Sequence, residues 1–373
     1  MKGNIQIARI FGIPITINYS WIVIFLLLTW ALAFFYFPLT YPALSRATQI
    51  LMGVVTSILF FGSVVFHELL HSIVARHYGL PIEAINLWIF GGVSRLSEEP
   101  RTPGIEFRMS IAGPLSSFFL AGAFALITYF GTLLRAPAII GVAFYLAFIN
   151  AFLGAFNLLP GFPLDGGRVL RSVVWYFTGD FWRATRVATI GGRIIAYLMI
   201  LLGFVAVFSG VFTGLWLIFL GWFLLQAAAA SYEQMVLKQA LEGLTVGEAM
   251  TGNPATVRED LSLLELVTGY FKRYRWSAFP VVDEADTLLG LVTIRGIRKI
   301  PRERWDGLVV KQVMIPLSDE IVVSPDDDIY RILPKLENKS GGRLLVTEDG
   351  HLAGIITRED VTRALRTRME LER

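Results

Sequence analysis

The sequence predicts a polytopic α-helical membrane domain of six transmembrane helices followed by a soluble α/β module built from two similar repeats. Three observations carry that expectation. The 373 residues are 54% hydrophobic and only 17% charged, with a mean hydropathy of +0.59, values that belong to membrane proteins rather than soluble domains. Apolar runs fall near 19–37, 49–72, 106–133, 138–159, 192–209 and 211–231, and about 20 apolar residues suffice to cross a bilayer as a helix. After about Gln234 the composition turns charged, and Val246-Gly247-Glu248-Ala249-Met250 is answered 64 residues on by Val310-Lys311-Gln312-Val313-Met314. The net charge of +3 is too small an excess to argue for nucleic acid.

Residues 1–18 alternate weakly and contain Gly12 and Pro14, which suggests a short β-like lead-in. The first apolar run, from Tyr19 to about Phe37, is long enough to span, and no small-residue cleavage site clearly follows it. It is expected to be a retained helix rather than a signal peptide.

The second run carries no charge from 49 to 66 and then reads Phe66-His67-Glu68-Leu69-Leu70-His71. Histidines four residues apart project from one helical face. Two neutral imidazoles at that spacing supply half of a tetrahedral zinc shell. Glu68 beside them is placed to take a proton from water, the H-E-x-x-H arrangement of zinc hydrolases. The chain has no cysteine, so a metal site must use nitrogen and oxygen ligands. His77 falls off the ligand face and is expected at the membrane interface; His351 lies in a polar turn and receives no ligand role.

Charge placement orients the spans. With a cytoplasmic N-terminus, the outward segments 38–48, 134–137 and 208–214 hold only Arg46 and Arg135. The inward ones hold Lys2 and Arg9, then Arg76, Arg95, Arg101 and Arg108, then Arg168, Arg171, Arg183 and Arg186. That is the positive-inside pattern, with both termini cytoplasmic in the cell membrane. His67 then lies about 27 Å along the second span, near its cytoplasmic boundary.

The segment 79–105 contains a strand-like stretch from Ile85 to Phe90, interrupted by Gly91-Gly92. It is expected either to offer an edge to an extended substrate or to form a surface hairpin without a catalytic part. Ile111-Ala112-Gly113-Pro114 in the third span permits close helix packing and a kink. The fourth span ends in Asn157-Leu158-Leu159-Pro160-Gly161-Phe162-Pro163-Leu164-Asp165-Gly166-Gly167. Two prolines break the helix, and Asp165 stands at the break. Its predicted depth matches that of His67 and His71. An ionisable residue in or near a membrane is a functional candidate, and a carboxylate completes a three-ligand zinc site with one position open.

Taken together, HELLH, the Gly-Gly strand region, the Ala-Gly-Pro helix and NLLPGFPLDGG resemble the site-2 protease family of intramembrane zinc metalloproteases over roughly residues 1–230. The resemblance implies Zn(2+) held by His67, His71 and Asp165, and Glu68 as general base and acid. It implies for Asn157 a part in holding substrate or the developing oxyanion. The substrate implied is a transmembrane segment of another membrane protein, locally unwound so that a peptide bond is free of its helical hydrogen bonds.

In the tail, Pro280-Val281-Val282 answers Leu344-Leu345-Val346, and Gly290-Leu291-Val292-Thr293 answers Gly354-Ile355-Ile356-Thr357. The pattern resembles a tandem pair of CBS domains. The expected layout is a peptidase domain over 1–232, a linker over 233–242 and repeats over 243–300 and 308–368. Such pairs imply an adenine nucleotide, ATP or AMP, in the cleft between repeats, with Thr357 and Asp360 holding phosphate and ribose and Thr293 their first-repeat counterpart. The first repeat departs from the pattern, with Gly296 where the ribose aspartate would stand, so at most one site is complete. The alternative for the pair is a dimerisation module that joins two copies of the chain.

These readings combine into an intramembrane zinc endopeptidase regulated by nucleotide. The rival is a CBS-regulated transporter or channel. Transport calls for polar groups along a whole path across the membrane, whereas here the ionisable residues concentrate at one depth.

Overall fold

The computed structural model describes residues 4–88, 91–96, 99–274, 276–337 and 342–371. The chain divides into two compact units, Met1–Tyr232 and Glu233–Arg373.

Among the described residues, six helices are long and apolar enough to cross a membrane: α1 Tyr19–Thr40, α2 Arg46–His77, α3 Pro103–Leu133, α4 Pro137–Asn157, and, after a shorter helix, α6 Phe181–Phe208 and α7 Gly214–Leu241. The short helix, α5, is Asp165–Thr178. The spans run several residues past the apolar runs at their ends. Caps rather than hydropathy set those ends: Ser45 accepts from Thr48 N at the start of α2, and Thr102 from Ile105 N at the start of α3. Pro114 lies inside a continuous α3.

One span is enclosed by the others. In α2, 44% of the most apolar window is buried, against 17–28% in the other five. The helix that carries both histidines therefore forms the centre of the bundle. Leu26, Phe119, Leu126, Phe148 and Leu201 on the outer helices are more than half exposed, as befits side chains that face lipid.

The predicted β lead-in is a hairpin, β1 Asn4–Ile10 and β2 Ile13–Asn18. It joins a second hairpin, β3 Ile82–Trp88 and β4 Gly91–Leu96, in one four-stranded sheet ordered β1-β2-β3-β4. The two hairpins meet through a parallel β2–β3 pairing, Ile15 opposite Ile85. The strand expected over Ile85 to Phe90 is thus β3, starting earlier; residues 89 and 90 lie outside the described residues. Ile13, Ile85 and Leu69 are buried together, so the sheet packs on the face of α2 beside the histidines.

The second unit contains two mixed sheets. The first holds β6 Val257–Arg258, β7 Ala278–Val282, β8 Leu288–Thr293 and β9 Ile315–Pro316, in that order. The second is ordered β10 Val322–Val323, β11 Arg343–Glu348, β12 His351–Thr357 and β5 Thr251–Gly252. Each sheet borrows its last strand from the segment leading into the other repeat. The registers match: Gly290 pairs with Pro316, and Gly354 with Gly252. Each repeat has its own core, around Phe279 and Val292 in one and Leu344 and Ile356 in the other. Ala278, Leu291, Leu345 and Ile355 are buried between the two. In the second repeat helix α8 Ile329–Glu337 lies between β10 and β11, and helix α9 Arg358–Leu371 follows β12.

Candidate metal centre and inter-repeat cleft

His67 and His71 occupy consecutive turns of α2, and Asp165 is the first residue of α5. The loop from Leu158 to Leu164 turns the chain back after α4, and Phe162 N donates to Ala188 O of α6 at 3.1 Å. That loop brings Asp165 to the imidazoles. His67 Nε2 and His71 Nε2 lie 3.0 and 3.1 Å from Asp165 Oδ2, and 3.2 Å from each other. Side-chain exposures are 5% for His67, 11% for His71 and 20% for Asp165. Among the described residues these three form the cluster able to hold a metal ion.

The triangle fits zinc on geometry. Bonds of about 2.0–2.1 Å in a tetrahedron place ligand atoms about 3.3 Å apart, and the three observed edges fall just inside that value. The proton positions fit as well. His71 Nδ1 is 2.7 Å from Met109 O, which can only accept, so Nδ1 carries the hydrogen and Nε2 presents its lone pair. His67 Nδ1 is 2.9 Å from Ser117 Oγ, an arrangement compatible with the same tautomer.

Both imidazole partners come from α3, as does the room for the rings. A Cβ on Gly113 would strike His71 Nε2 and His67 Nε2. The Ala-Gly-Pro motif, expected to permit close helix packing and a kink, thus packs against the candidate ligands themselves. Ser117 and Met109 were not legible as partners in the sequence, because 50 and 38 residues separate them from their histidines.

Glu68 is half-buried. Gly92 of β4 lies against it: a Cβ there would be 2.6 Å from Glu68 Cγ. Asn157 is the last residue of α4; among the described residues its side chain makes no hydrogen bond to His67, His71 or Asp165. His77 ends α2 and His351 begins β12, both exposed and apart from the cluster.

In the second unit a cleft of about 410 Å³ opens between the repeats, lined by residues that include Thr251, Trp276, Arg295, Arg343, Thr357 and Asp360. Asp360 is 4% exposed. Its Oδ2 accepts from Thr357 N at 2.9 Å and from Thr357 Oγ1 at 2.7 Å, and its Oδ1 faces Thr251 Oγ1 and Arg363. Burial, with the charge of Arg295 second, pushes the Arg343 guanidinium below its usual range. Thr293, the counterpart of Thr357, accepts from Gly296 N at 3.2 Å and does not line this cleft.

Comparison with known proteins is consistent along the whole chain. Residues 55–138 and 127–202 match the model of peptidase family M50, and 246–303 and 310–367 each match the CBS domain. Rip3 of Mycobacterium tuberculosis H37Rv, whose name describes it as a candidate zinc metalloprotease, is 36% identical over 370 residues, covering 98% of this chain and 93% of that one. Zinc metalloprotease MJ0392 of Methanocaldococcus jannaschii is 31% identical over 366 residues, covering 98% and 97%. The solved site-2 protease from Methanocaldococcus jannaschii aligns at 28% identity over 61% of this chain and 95% of that chain, with a TM-score of 0.42. The chain belongs to peptidase family M50, the site-2 proteases, and carries a tandem CBS module after its peptidase domain.

Proposed function

We propose that the protein is an intramembrane zinc endopeptidase that cleaves transmembrane segments of other membrane proteins, with an adenine nucleotide in the CBS cleft regulating it. The observation that carries the reading is the convergence of His67 Nε2, His71 Nε2 and Asp165 Oδ2 within about a tetrahedron's edge of one another. In this reading those three atoms hold Zn(2+) and one position stays open to solvent and substrate.

Bound zinc supplies Lewis acidity toward water and the scissile carbonyl. The chain's residues do the rest. The Glu68 carboxylate accepts a proton from the attacking water as its oxygen bonds to the carbonyl carbon. The same proton then passes from Glu68 to the leaving amide nitrogen as the C–N bond breaks. Asn157, at the end of α4, orients substrate or offers its amide to the developing oxyanion. β4 is the edge strand of its sheet and passes over Glu68 at Gly92, which supports substrate pairing there as an added, extended strand. An extended substrate is also a cleavable one, since a helical peptide bond is tied into its own hydrogen bonds. The charge bias of the loops supports cytoplasmic N- and C-termini.

The cleft supports an anionic, aromatic ligand. Arg295, Arg343, Arg358 and Arg363 face two acids, Glu359 and Asp360, an excess suited to phosphates, and Trp276 offers a stacking face. The decisive test of the proteolytic reading is Glu68→Gln. In liposomes containing a model transmembrane substrate, the variant should keep its zinc and lose cleavage; cleavage at the wild-type rate would refute the reading.

A further inference from the structure

Helix α5 starts at Asp165, and a pair of opposite charges inside the membrane domain grips it. Glu106, in the first turn of α3, is fully buried, and Arg171 on α5 is 7% exposed. Arg171 Nε donates to Glu106 Oε1 at 2.7 Å, and its Nη2 pairs with the same oxygen. The guanidinium lies 5.1 Å from the ring centre of Phe162 and 4.6 Å from that of Phe181. Its Nη1 is 3.6 Å from Glu99. One side chain thus touches α3, the loop before Asp165, the start of α6 and the segment after β4.

As stabilisation alone the pair is a poor solution. Removing two charges from water carries a heavy desolvation cost, and apolar residues of similar volume often serve stability as well or better. Glu106 Oε2 is moreover buried without a partner among the described residues. What the pair does supply is direction, because a planar guanidinium on a carboxylate and between two rings fixes how its helix is rotated. The helix it is tied to is the one that orients both imidazoles. Glu106, Met109, Gly113 and Ser117 fall at i, i+3, i+7 and i+11 of α3, along one face.

We propose that Glu106 and Arg171 are positioning residues: they lock α5 to the imidazole-bearing face of α3, so that Asp165 Oδ2 is held at the two Nε2 atoms. The proposal rests on the reading of His67, His71 and Asp165 as zinc ligands. It goes beyond that reading by assigning the pre-assembly of the ligand set to a charge pair remote from it.

The test is competition for zinc between a chelator and the full-length protein in detergent, with zinc-free melting measured alongside. Glu106→Gln and Arg171→Met should each raise the zinc Kd about 10- to 100-fold. The double variant, which leaves no unpaired charge and guards against misfolding of either single one, should lose no more than a single variant. Its zinc-free melting should match wild type. Arg171→Lys keeps the charge without the fork and should be intermediate. Zinc affinity within twofold of wild type in the double variant, or a loss that tracks lowered zinc-free melting, would overturn the proposal. Asp165→Ala is the reference: if it leaves zinc affinity unchanged, the ligand assignment itself falls and takes the proposal with it. If it weakens zinc while the double variant does not, only the charge pair's role is lost.

Discussion

Gly113 leaves no room for a side chain beside His67: a Cβ built on its backbone would stand 2.6 Å from His67 Nε2 and would overlap the ring of His71 as well. The glycine therefore does more than let two helices approach. It lets the backbone of α3 form one wall of the candidate metal centre.

Gly113→Ala tests this, because local propensity and the site predict opposite effects. Alanine favours an exposed helix interior over glycine by about 1 kcal/mol, yet here its methyl must push the imidazoles from their positions. We expect purified Gly113→Ala protein to hold markedly less than one zinc per chain after dialysis, while it still extracts as a folded membrane protein. Full zinc content, read by metal analysis, would show that α3 can withdraw and that the contact is incidental.

Ser117→Ala addresses the imidazole at its far side. Ser117 Oγ is the partner of His67 Nδ1 at 2.9 Å, and it is fully buried. Removing it leaves the ring without its orienting bond, and losses of this kind weaken metal binding about 10- to 100-fold. Ser116→Ala is the control, since among the described residues Ser116 Oγ bonds only back to Gly113 O of its own helix. Chelator competition should separate the two variants. Equal zinc affinities for both would remove Ser117 from the site.

What the sequence could reveal followed from the range of each interaction. His67 and His71 share one helix, so their spacing alone aligns them, and Asp165 stood out because two prolines and a charge beside an apolar span are rare neighbours. The repeat in the tail was legible as a fixed offset, since Gly290 and Gly354 hold the same place in their sheets. Helix α5 was not legible: it is short, amphipathic and follows a helix-breaking loop. Nor was the Glu106–Arg171 pair, whose members lie 65 residues apart. The exchange of β5 and β9 between sheets was hidden too, because two-residue strands carry no periodicity.

Gly92→Val probes the contact between β4 and Glu68. A side chain at 92 would press on Glu68 Cγ and on Val64, away from the cluster of His67, His71 and Asp165. Displacing a general base removes a contribution of about 10²- to 10⁴-fold. We therefore expect kcat for a transmembrane substrate to fall by that order while zinc content stays at one per chain. A parallel loss of zinc would mean that the strand supports the ligands rather than the base.

The cleft between the repeats should take one nucleotide per chain, because only the second repeat pairs its threonine with an aspartate. Asp360→Ala should weaken ATP or AMP at least tenfold in calorimetry on the full-length protein, and Thr293→Ala should not. Asp360 also closes the start of α9 through Thr357 N, and losing such a cap costs about 1 kcal/mol, so the first variant alone mixes binding with folding. Arg343→Ala separates them. Arg343 begins β11 and lines the cleft without taking part in that cap, and a bound phosphate would relieve its half-buried charge beside Arg295. Loss of affinity in Arg343→Ala with unchanged melting would locate the phosphates there. Two nucleotides bound per wild-type chain, or affinity untouched by both variants, would rule out a single site in this cleft.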